Sequence, residues 1–136
     1  MIFYTVDKLS PEKGYEFDAG FDLKAGETVT LQPGEIRAIG TGISLRIPKG
    51  NVGLVKERSS MALEGIFVHG GVIDSGYDGE IKVIMHNSTN QEYKIEIYQR
   101  IAQLLILPVR VSMPMRKGAA PQVHLRGENG FGSTGK

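Results

Sequence analysis

Apolar and polar residues alternate with a period of two in three segments of the chain, residues 16–23, 43–47 and 93–97. Successive side chains of a strand point to opposite faces, so each segment is predicted to be a half-buried strand. The apolar face of the first segment would be formed by Phe17, Ala19, Phe21 and Leu23. Residues 101–109 are almost all apolar, which predicts a strand covered on both faces.

Turn signals separate the predicted strands. Proline fixes φ and glycine supplies a positive φ, so the Pro-Gly motif at 32–34 and the Pro-Lys-Gly motif at 48–50 predict tight turns. The polar run at 87–90 predicts a further break in the chain. Residues 113–122 contain two prolines and little periodicity, which predicts an extended connector.

One short helix is predicted at 61–64, with Ser59 and Ser60 as candidate N-caps and Gly65 at its end. The 18 glycines and 6 prolines among 136 residues leave little room for a long helix. Many short strands with frequent turns indicate an all-β sandwich or barrel, formed as a single domain.

Composition and charge narrow the classes of function. The 16 basic and 15 acidic side chains leave a net charge of +1, which gives no reason to expect direct nucleic-acid binding. The chain has no cysteine, so disulfides, zinc thiolates and thiol nucleophiles are excluded. Its longest apolar run, 104–109, is far shorter than the ~20 residues of a membrane span. We therefore expect a soluble cytoplasmic protein without a membrane partner.

The carboxyl-terminal residues 126–136 are rich in glycine and end in the pattern G-x-x-x-x-G-K. This is not predicted to be a P-loop, which requires Ser or Thr after the lysine and a following helix. Glycine-rich backbone can still present N–H groups to an anion, with Arg126, Ser133 and Thr134 as further donors. Phe131 lies between two glycines, where a planar partner such as a nucleobase would explain a large aromatic side chain. The alternative is a terminus without fixed structure.

Further candidates lie inside the domain. Residues 70–81 have a strand-turn-strand pattern with Asp74 near the bend. A carboxylate at this place can act as a general base, or it can simply stabilise the turn. The Arg58-Ser59-Ser60 sequence at a helix start can bind an anion or serve as an ordinary cap. Asp18 and Asp22 would share one strand face, which suits a cation or a solvated surface.

The three histidines, His69, His86 and His124, lack the spacing of metal ligands and are predicted to be structural or exposed. No serine lies in a G-x-S-x-G nucleophile elbow.

Five segments in order along the chain resemble the five motifs of the trimeric deoxyuridine triphosphatases, the dUTPase family. They are residues 19–23, 58–62, 71–80, 100–103 and 126–135. Each alone is weakly specific, but five in the right order over nearly the whole chain are a strong match. The Ser-Ser-Met-Ala and Ser-Gly-Tyr variants favour the retroviral and phage branches of the family.

The resemblance implies a jelly-roll subunit, a distorted β-barrel, over residues 1–125 and a flexible tail over 126–136. It implies a homotrimer with active sites shared between subunits, each tail closing over a neighbour's site. The implied reaction is hydrolysis of dUTP to dUMP and pyrophosphate with Mg²⁺, which limits uracil in DNA and supplies dUMP for thymidylate synthesis. The implied location is the cytoplasm, or a host cytoplasm or virion for a viral protein.

The resemblance also implies roles for single residues. Asp74 would deprotonate the attacking water, and Asp22 would hold Mg²⁺ through water. Tyr77 would pack against the deoxyribose, and Phe131 would close over the uracil. The implied catalytic residues are Asp74, Ser59, Arg58 and Gln103. The implied substrate-binding residues are Arg58, Ser59, Ser60, Gly71, Val72, Ile73, Asp74, Tyr77, Lys82, Gln103, Arg126, Phe131, Gly132, Ser133 and Thr134.

Three departures from the family pattern stand near these motifs. Glu57 replaces the usual Gly or Pro before Arg58 and would weaken phosphate binding if it faced the ligand. Tyr98-Gln99 replaces a Gly and an acidic residue, and Asp78 replaces a common Arg after Tyr77. We expect altered affinity rather than lost activity.

Two alternatives remain open on the sequence. One is a dCTP deaminase or a bifunctional relative on the same fold, although the motif at 73–77 favours hydrolysis of dUTP. The other is a trimeric signalling module that binds nucleotide without turnover.

Overall fold

The computed structural model describes residues 3–4 and 7–119. In chain order the strands are β1 (Phe3–Tyr4), β2 (Phe21–Lys24), β3 (Val29–Leu31), β4 (Ile36–Leu45), β5 (Asn51–Glu57), β6 (Ile66–His69), β7 (Val72–Ile73), β8 (Glu80–Asn87), β9 (Tyr93–Ile95) and β10 (Arg100–Pro108). A 3₁₀ turn spans Asp7–Leu9, and a single α-helix among the described residues, α1, spans Ser59–Leu63. The all-β fold class with one short helix is confirmed.

The strands form two four-stranded antiparallel sheets and a two-stranded ribbon. The first sheet has the order β1-β4-β8-β6, and the second has the order β2-β10-β5-β7. The ribbon pairs β3 with β9. The non-consecutive neighbours show that the chain crosses repeatedly between the sheets, so residues distant in sequence meet at the same strand ends.

Both sheets contribute to one hydrophobic core. Along β8 the side chains alternate, so that Ile81, Val83 and Met85 are buried while Lys82 and Ile84 face outward. The predicted 43–47 segment behaves the same way, and its apolar residues are all buried. Burying one such aliphatic side chain contributes about 2 kcal/mol, so the core fixes the register of each strand against a slip of one residue.

Several predicted boundaries are corrected by the structure. The strand predicted at 16–23 begins only at Phe21, and Phe17 is 93% exposed. Asp18 accepts a hydrogen bond from the Tyr15 N–H at 2.8 Å, which holds this segment in a turn. Asp18 and Asp22 therefore do not share a strand face. In the 93–97 segment only Tyr93–Ile95 forms a strand, and Ile97 is exposed.

The predicted turns are present. Gly34 and Gly50 have φ values of 75° and 83°, as their turns require. At the predicted break after β8, the buried Asn87 side chain donates to the Leu31 and Gln91 carbonyl oxygens at 3.1 and 2.7 Å. That amide therefore ties the end of β8 to the ribbon.

The long apolar strand β10 is buried over its first half, where Ile101, Ala102 and Leu104 have no exposed surface. Leu107 is about 40% exposed, so the strand is covered on both faces only in part. Beyond it, residues 113–119 of the predicted connector form no strand or helix, and residues 120–122 lie outside the described residues. None of the helices in the described part of the chain has the length and apolar character that a membrane crossing requires.

Candidate active site

Four polar side chains from distant motifs meet where β2, β10 and β5 lie side by side. β10 pairs with β2 and β5, which places Gln103 opposite both Asp22 and Lys56. The Gln103 amide donates to the Glu57 main-chain oxygen at 3.1 Å. We call Asp22, Arg58, Arg100 and Gln103 the polar cluster.

Asp22 is the centre of the polar cluster. Its Oδ1 lies 3.5 Å from Arg58 Nε, and its Oδ2 lies 3.4 Å from Arg100 Nη1. The Asp22 side chain is 18% exposed. A second bond of 3.5 Å joins Arg58 Nη1 to the Arg100 main-chain oxygen. One carboxylate and two guanidinium groups leave the cluster with excess positive charge, which suits an anionic ligand.

The helix α1 begins directly beside this cluster. Arg58 occupies its N-cap position without a side-chain cap bond, so the prediction that Ser59 or Ser60 caps the helix is wrong. Both serines are instead exposed in the first helical turn. Gly65, with φ of 82°, follows the end of the helix as predicted. The two hydroxyls therefore lie next in sequence to the Arg58 guanidinium and are free to donate to an anion.

The motif at 70–81 forms a strand, a turn and a strand, but it is not a hydrogen-bonded hairpin. β7 pairs with β5 in the second sheet, whereas β8 belongs to the first sheet. The turn between them is closed by a bond of 3.0 Å from the Tyr77 N–H to the Asp74 oxygen. The Tyr77 hydroxyl donates to the Glu80 main-chain oxygen at 2.6 Å, which fixes the ring over the turn.

Gly71 begins this motif with φ of 87°. Its oxygen accepts the Val55 N–H at 2.7 Å, and a Cβ at position 71 would lie 2.5 Å from the Val55 oxygen. A side chain is therefore excluded by both conformation and space.

A cavity of about 330 Å³ opens between this motif and the outer face of the first sheet. Five predicted substrate-binding residues line it, and three further residues complete the wall. The predicted ones are Val72, Ile73, Asp74, Tyr77 and Lys82, and the others are Ala38, Glu80 and Ile84. The structure thus brings one group of predicted residues into a single concave site.

Arg100, Ala38 and Ile84 belong to these two groups of residues but were not predicted as contacts from the sequence. Arg100 was recognised within a motif but not as the partner of Asp22, and that contact depends on the pairing of β10 with β2. Ala38 lies opposite Ile84, so both reach the cavity through the pairing of β4 with β8. The sequence signal for Ile84 was its outward place in the alternating pattern of β8.

The cavity and the polar cluster lie at opposite ends of β5. Ile73 lies opposite Gly53, and Arg58 follows the last residue of β5. At ~3.3 Å per residue, positions 53 and 58 are about 17 Å apart along the strand. β7 is antiparallel to β5, so the chain at Asp74 continues away from Arg58. Among the described residues, no hydrogen bond or ion pair joins the two groups.

The main-chain oxygen of Glu57, the first departure, contacts the polar cluster through Gln103, but among the described residues its side chain does not. Its Oε2 accepts the Val68 N–H at 3.2 Å, and its Oε1 lies 3.2 Å from Lys56 Nζ. Burial raises the pKa of Glu57, but its own N–H, the Val68 N–H and the Lys56 ammonium together hold that pKa below its usual value. The carboxylate therefore has partners other than a phosphate.

Of the remaining departures, Tyr98 and Asp78 are exposed, whereas Gln99 is half-buried and its Oε1 accepts the Glu96 N–H at 3.1 Å. Tyr98 has φ of 70°, a conformation that favours glycine, and Lys8 Nζ lies 5.4 Å from its ring centre. Asp78 lies exposed beside the turn at Tyr77.

Two of the three histidines lie side by side on β6 and β8. His69 Nε2 and His86 Nδ1 are hydrogen-bonded to each other at 2.9 Å. Over residues 7–119 no group of three or more His, Cys, Asp or Glu side chains is arranged to hold a metal ion. The predicted tail contacts, Arg126, Phe131, Gly132, Ser133, Thr134, and also His124, lie outside the described residues.

Comparison with known proteins gives a consistent result. A family model described as dUTPase matches residues 7–135. Deoxyuridine 5'-triphosphate nucleotidohydrolase of Clostridium novyi is 41% identical over 128 residues, covering 92% of this chain and 89% of the relative. The Pol polyprotein of caprine arthritis encephalitis virus is 40% identical over 120 residues, 88% of this chain, but the match spans only 11% of that polyprotein.

Solved structures agree. The dUTPase of Staphylococcus bacteriophage 80alpha with dUPNHPP has a TM-score of 0.90 and 29% identity, covering 99% of this chain and 98% of that chain. A mutant dUTPase from phage phi11 of S. aureus, described with a structural Mg(II) ion, has a TM-score of 0.80 and 23% identity, covering 90% of this chain and all of that chain. The expected jelly-roll class is confirmed by these neighbours.

Proposed function

The chain belongs to the dUTPase family and hydrolyses dUTP to dUMP and pyrophosphate, and we propose that it completes each active site between two subunits of a homotrimer. The observation that carries the shared site is the separation of about 17 Å along β5 between Ile73 and Arg58. A general base must come within one water of the reacting phosphorus. This separation supports a site in which Asp74 and Arg58 come from different subunits.

In the proposed site, the cavity of one subunit holds the deoxyuridine and the polar cluster of its neighbour holds the triphosphate. Asp74 lies in the wall of the cavity, where it can take the proton of a water molecule that attacks the α-phosphorus. The new P–O bond forms as the bond to the β-phosphate oxygen breaks, and pyrophosphate leaves. Arg58, Ser59 and Gln103 stabilise the charge on the transferred and leaving phosphates.

Specificity for deoxyuridine would come from shape and main-chain atoms. The Tyr77 ring is held by the bond of its hydroxyl to the Glu80 oxygen, so it forms a fixed wall of the cavity. A sugar packed against that wall has no room for a 2′-hydroxyl. The main chain at 71–82 supplies the donors and acceptors that read the uracil edge. Discrimination against a 5-methyl group then follows from the width of the cavity.

Asp22 is the residue that would hold Mg²⁺, because it is the carboxylate of the polar cluster. Each of its oxygens already has an arginine partner. A single carboxylate fits the usual mode of Mg²⁺, in which water and substrate phosphates provide most ligands. Bound there, the ion would neutralise charge on the triphosphate.

The tail at 126–136 is proposed to close over a neighbour's site, with Phe131 on the base and Arg126, Ser133 and Thr134 on the γ-phosphate. Closure excludes water and aligns the phosphates. Truncation before Arg126 should then reduce turnover strongly while leaving the trimer intact. Full activity of the truncated chain would contradict this role.

The cysteine-free composition suits the reducing cytoplasm, which we propose as the location.

The test of the reaction is pyrophosphate release from dUTP, UTP, dTTP and dCTP, with and without Mg²⁺. We expect turnover of dUTP alone. Ammonia release from dCTP would indicate a deaminase, and nucleotide binding without turnover would indicate a signalling module.

The test of the shared site is complementation between two inactive variants, Asp74→Asn and Arg58→Ala, co-expressed in one cell. Random mixing would place intact Asp74 and intact Arg58 together in about one quarter of the sites, so about one quarter of wild-type activity should return. The control is the Asp74→Asn/Arg58→Ala double variant co-expressed with either single variant, which cannot restore a site. If no activity returned in the first mixture, the proposal of a site shared between subunits would be refuted.

A further inference from the structure

Glu57 makes three contacts at the junction between β5 and α1. Its carboxylate accepts the Val68 N–H through Oε2 at 3.2 Å and pairs with Lys56 through Oε1 at 3.2 Å. Its main-chain oxygen accepts the Gln103 amide at 3.1 Å. Glu57 therefore contacts the next strand of its own sheet and a strand of the other sheet.

The bond to Val68 crosses between the two sheets. β5 lies in the second sheet, while β6 is at the edge of the first sheet and, among the described residues, pairs with β8 alone. An edge strand presents main-chain donors without a strand partner. The Glu57 carboxylate satisfies one of them and closes the base of the loop that runs from β5 through α1 to β6.

That loop carries Arg58, Ser59 and Ser60, and its start is also held by the long contacts of Arg58 with Asp22 and with the Arg100 main-chain oxygen, both at 3.5 Å. α1 is only five residues long, and its N-cap residue Arg58 makes no side-chain cap bond. So short a helix is not stable by itself and depends on tertiary contacts. Met61 is buried and anchors the far side of the first turn. The near side, which would face the phosphates, is held by the Glu57 bond to Val68 together with those contacts of Arg58.

We propose that Glu57 is a positioning residue, whose carboxylate fixes the Arg58-Ser59-Ser60 segment and whose main-chain oxygen orients Gln103 for the triphosphate. This rests on the proposed function. A residue without a side-chain acceptor at this position could not make the bond to Val68. The acidic side chain is compatible with a phosphate site because it is turned toward Val68 and Lys56.

Three variants separate the hydrogen bond from the charge. Glu57→Ala removes the acceptor. Glu57→Gln keeps an acceptor oxygen of the same reach but removes the charge. Glu57→Asp keeps the charge but shortens the reach, and it serves as the second loss variant if Glu57→Ala does not fold. Lys56→Gln is the matched control on the adjacent residue, because it changes the local charge and leaves the Val68 bond in place.

The measurements are dissociation constants for a non-hydrolysable dUTP analogue and for dUMP, steady-state turnover of dUTP, and amide hydrogen exchange at Val68. In Glu57→Ala and Glu57→Asp we expect the analogue to bind about tenfold more weakly and dUMP to change less than about twofold. Exchange at Val68 should be about tenfold faster. Glu57→Gln and Lys56→Gln should stay within about threefold of wild type for all of these values.

The proposal is overturned if Glu57→Ala keeps wild-type affinity for the analogue, or if dUMP and the analogue weaken equally, as expected for general loosening. It is also overturned if Lys56→Gln or Glu57→Gln reproduces the loss, since charge would then be the cause. Absence of dUTP turnover in the wild type would instead refute the proposed function, whereas exchange at Val68 still reports on the contact.

Discussion

Arg58 Nε lies 3.5 Å from Asp22 Oδ1, so the residue expected to bind phosphate and the residue expected to hold the metal are paired with each other. Arg100 approaches the second Asp22 oxygen at 3.4 Å. The three charges partly compensate one another before any ligand arrives. When a triphosphate binds with its cation, the arginines would contact phosphate instead of Asp22, and Asp22 would face the cation instead of the arginines. Each charged group would thus keep a partner of opposite charge.

The Asp22→Asn variant should lose its response to Mg²⁺. An amide cannot replace a carboxylate near a hydrated divalent ion, and removal of such a partner typically reduces metal affinity by about 10–100-fold. Because the two arginines are then uncompensated, binding of the dUTP analogue in EDTA should be unchanged or tighter. Titration of turnover with Mg²⁺ and calorimetry in EDTA measure the two effects.

Asp18→Asn is the control for that experiment, because Asp18 is an exposed carboxylate that bonds to the Tyr15 N–H and has no contact with the polar cluster among the described residues. It should retain the Mg²⁺ response. An unaltered Mg²⁺ titration of the Asp22→Asn enzyme would show that Asp22 does not hold the metal ion.

The Asp74→Asn variant should bind nucleotide normally and lose about 10²–10⁴-fold in kcat, since a general base contributes roughly this much. Asp78→Asn, in the same turn region and exposed, should leave kcat within about threefold. Steady-state pyrophosphate release at saturating dUTP gives kcat, and the dissociation constant of the analogue measures binding. Equal turnover by Asp74→Asn and wild type would eliminate Asp74 as the base.

Gly71→Ala should destabilise the fold by about 2 kcal/mol, because φ is 87° and the new Cβ would lie 2.5 Å from the Val55 oxygen. The loss corresponds to a Tm lower by about 5 °C or more in a domain of this size. Gly76→Ala is the matched control, since in the described part of the chain no heavy atom beyond the two adjacent residues lies within 4 Å of a Cβ there. Urea unfolding of both variants tests the difference, and equal stability would contradict the strain at position 71.

Acid should weaken the wild type more than Glu57→Gln. The pKa of Glu57 in the folded chain lies below the usual 4.5, so the folded state binds this proton less tightly than the unfolded state. The stability that the carboxylate contributes is complete above 4.5 and is lost as pH falls through the folded pKa. Urea midpoints measured from about pH 5.5 to about pH 3 should therefore converge for the two proteins. Parallel curves would show that this carboxylate is not coupled to folding.

Much of the molecule follows from local sequence. The turns at 32–34 and 48–50, the break after Asn87 and the alternation along β8 depend on residues next to one another, so short patterns predicted them. The same holds for the residue types of the candidate site, because a motif such as Arg58-Ser59-Ser60 carries its chemistry in three adjacent positions.

The errors arise where a local pattern competes with a turn. Phe17 and Phe21 alternate as in a strand, yet the Asp18 carboxylate bonds to the Tyr15 N–H and the strand starts only at Phe21. Ser59 and Ser60 have the residue type of a cap, but Arg58 occupies that position. The observed boundaries of these elements therefore differ from the predicted ones, although the strand and the helix are both present.

The sequence alone determined the all-β class, the turn positions and the candidate chemistry, because each depends on residues within a few positions of one another. Tertiary structure decided that Arg100 meets Asp22, that Glu57 faces Val68, and that Asp74 lies far from Arg58 along β5. These three facts depend on which strands pair and in which register. Register is set by the fit of the whole core across long sequence separations, which no short motif encodes.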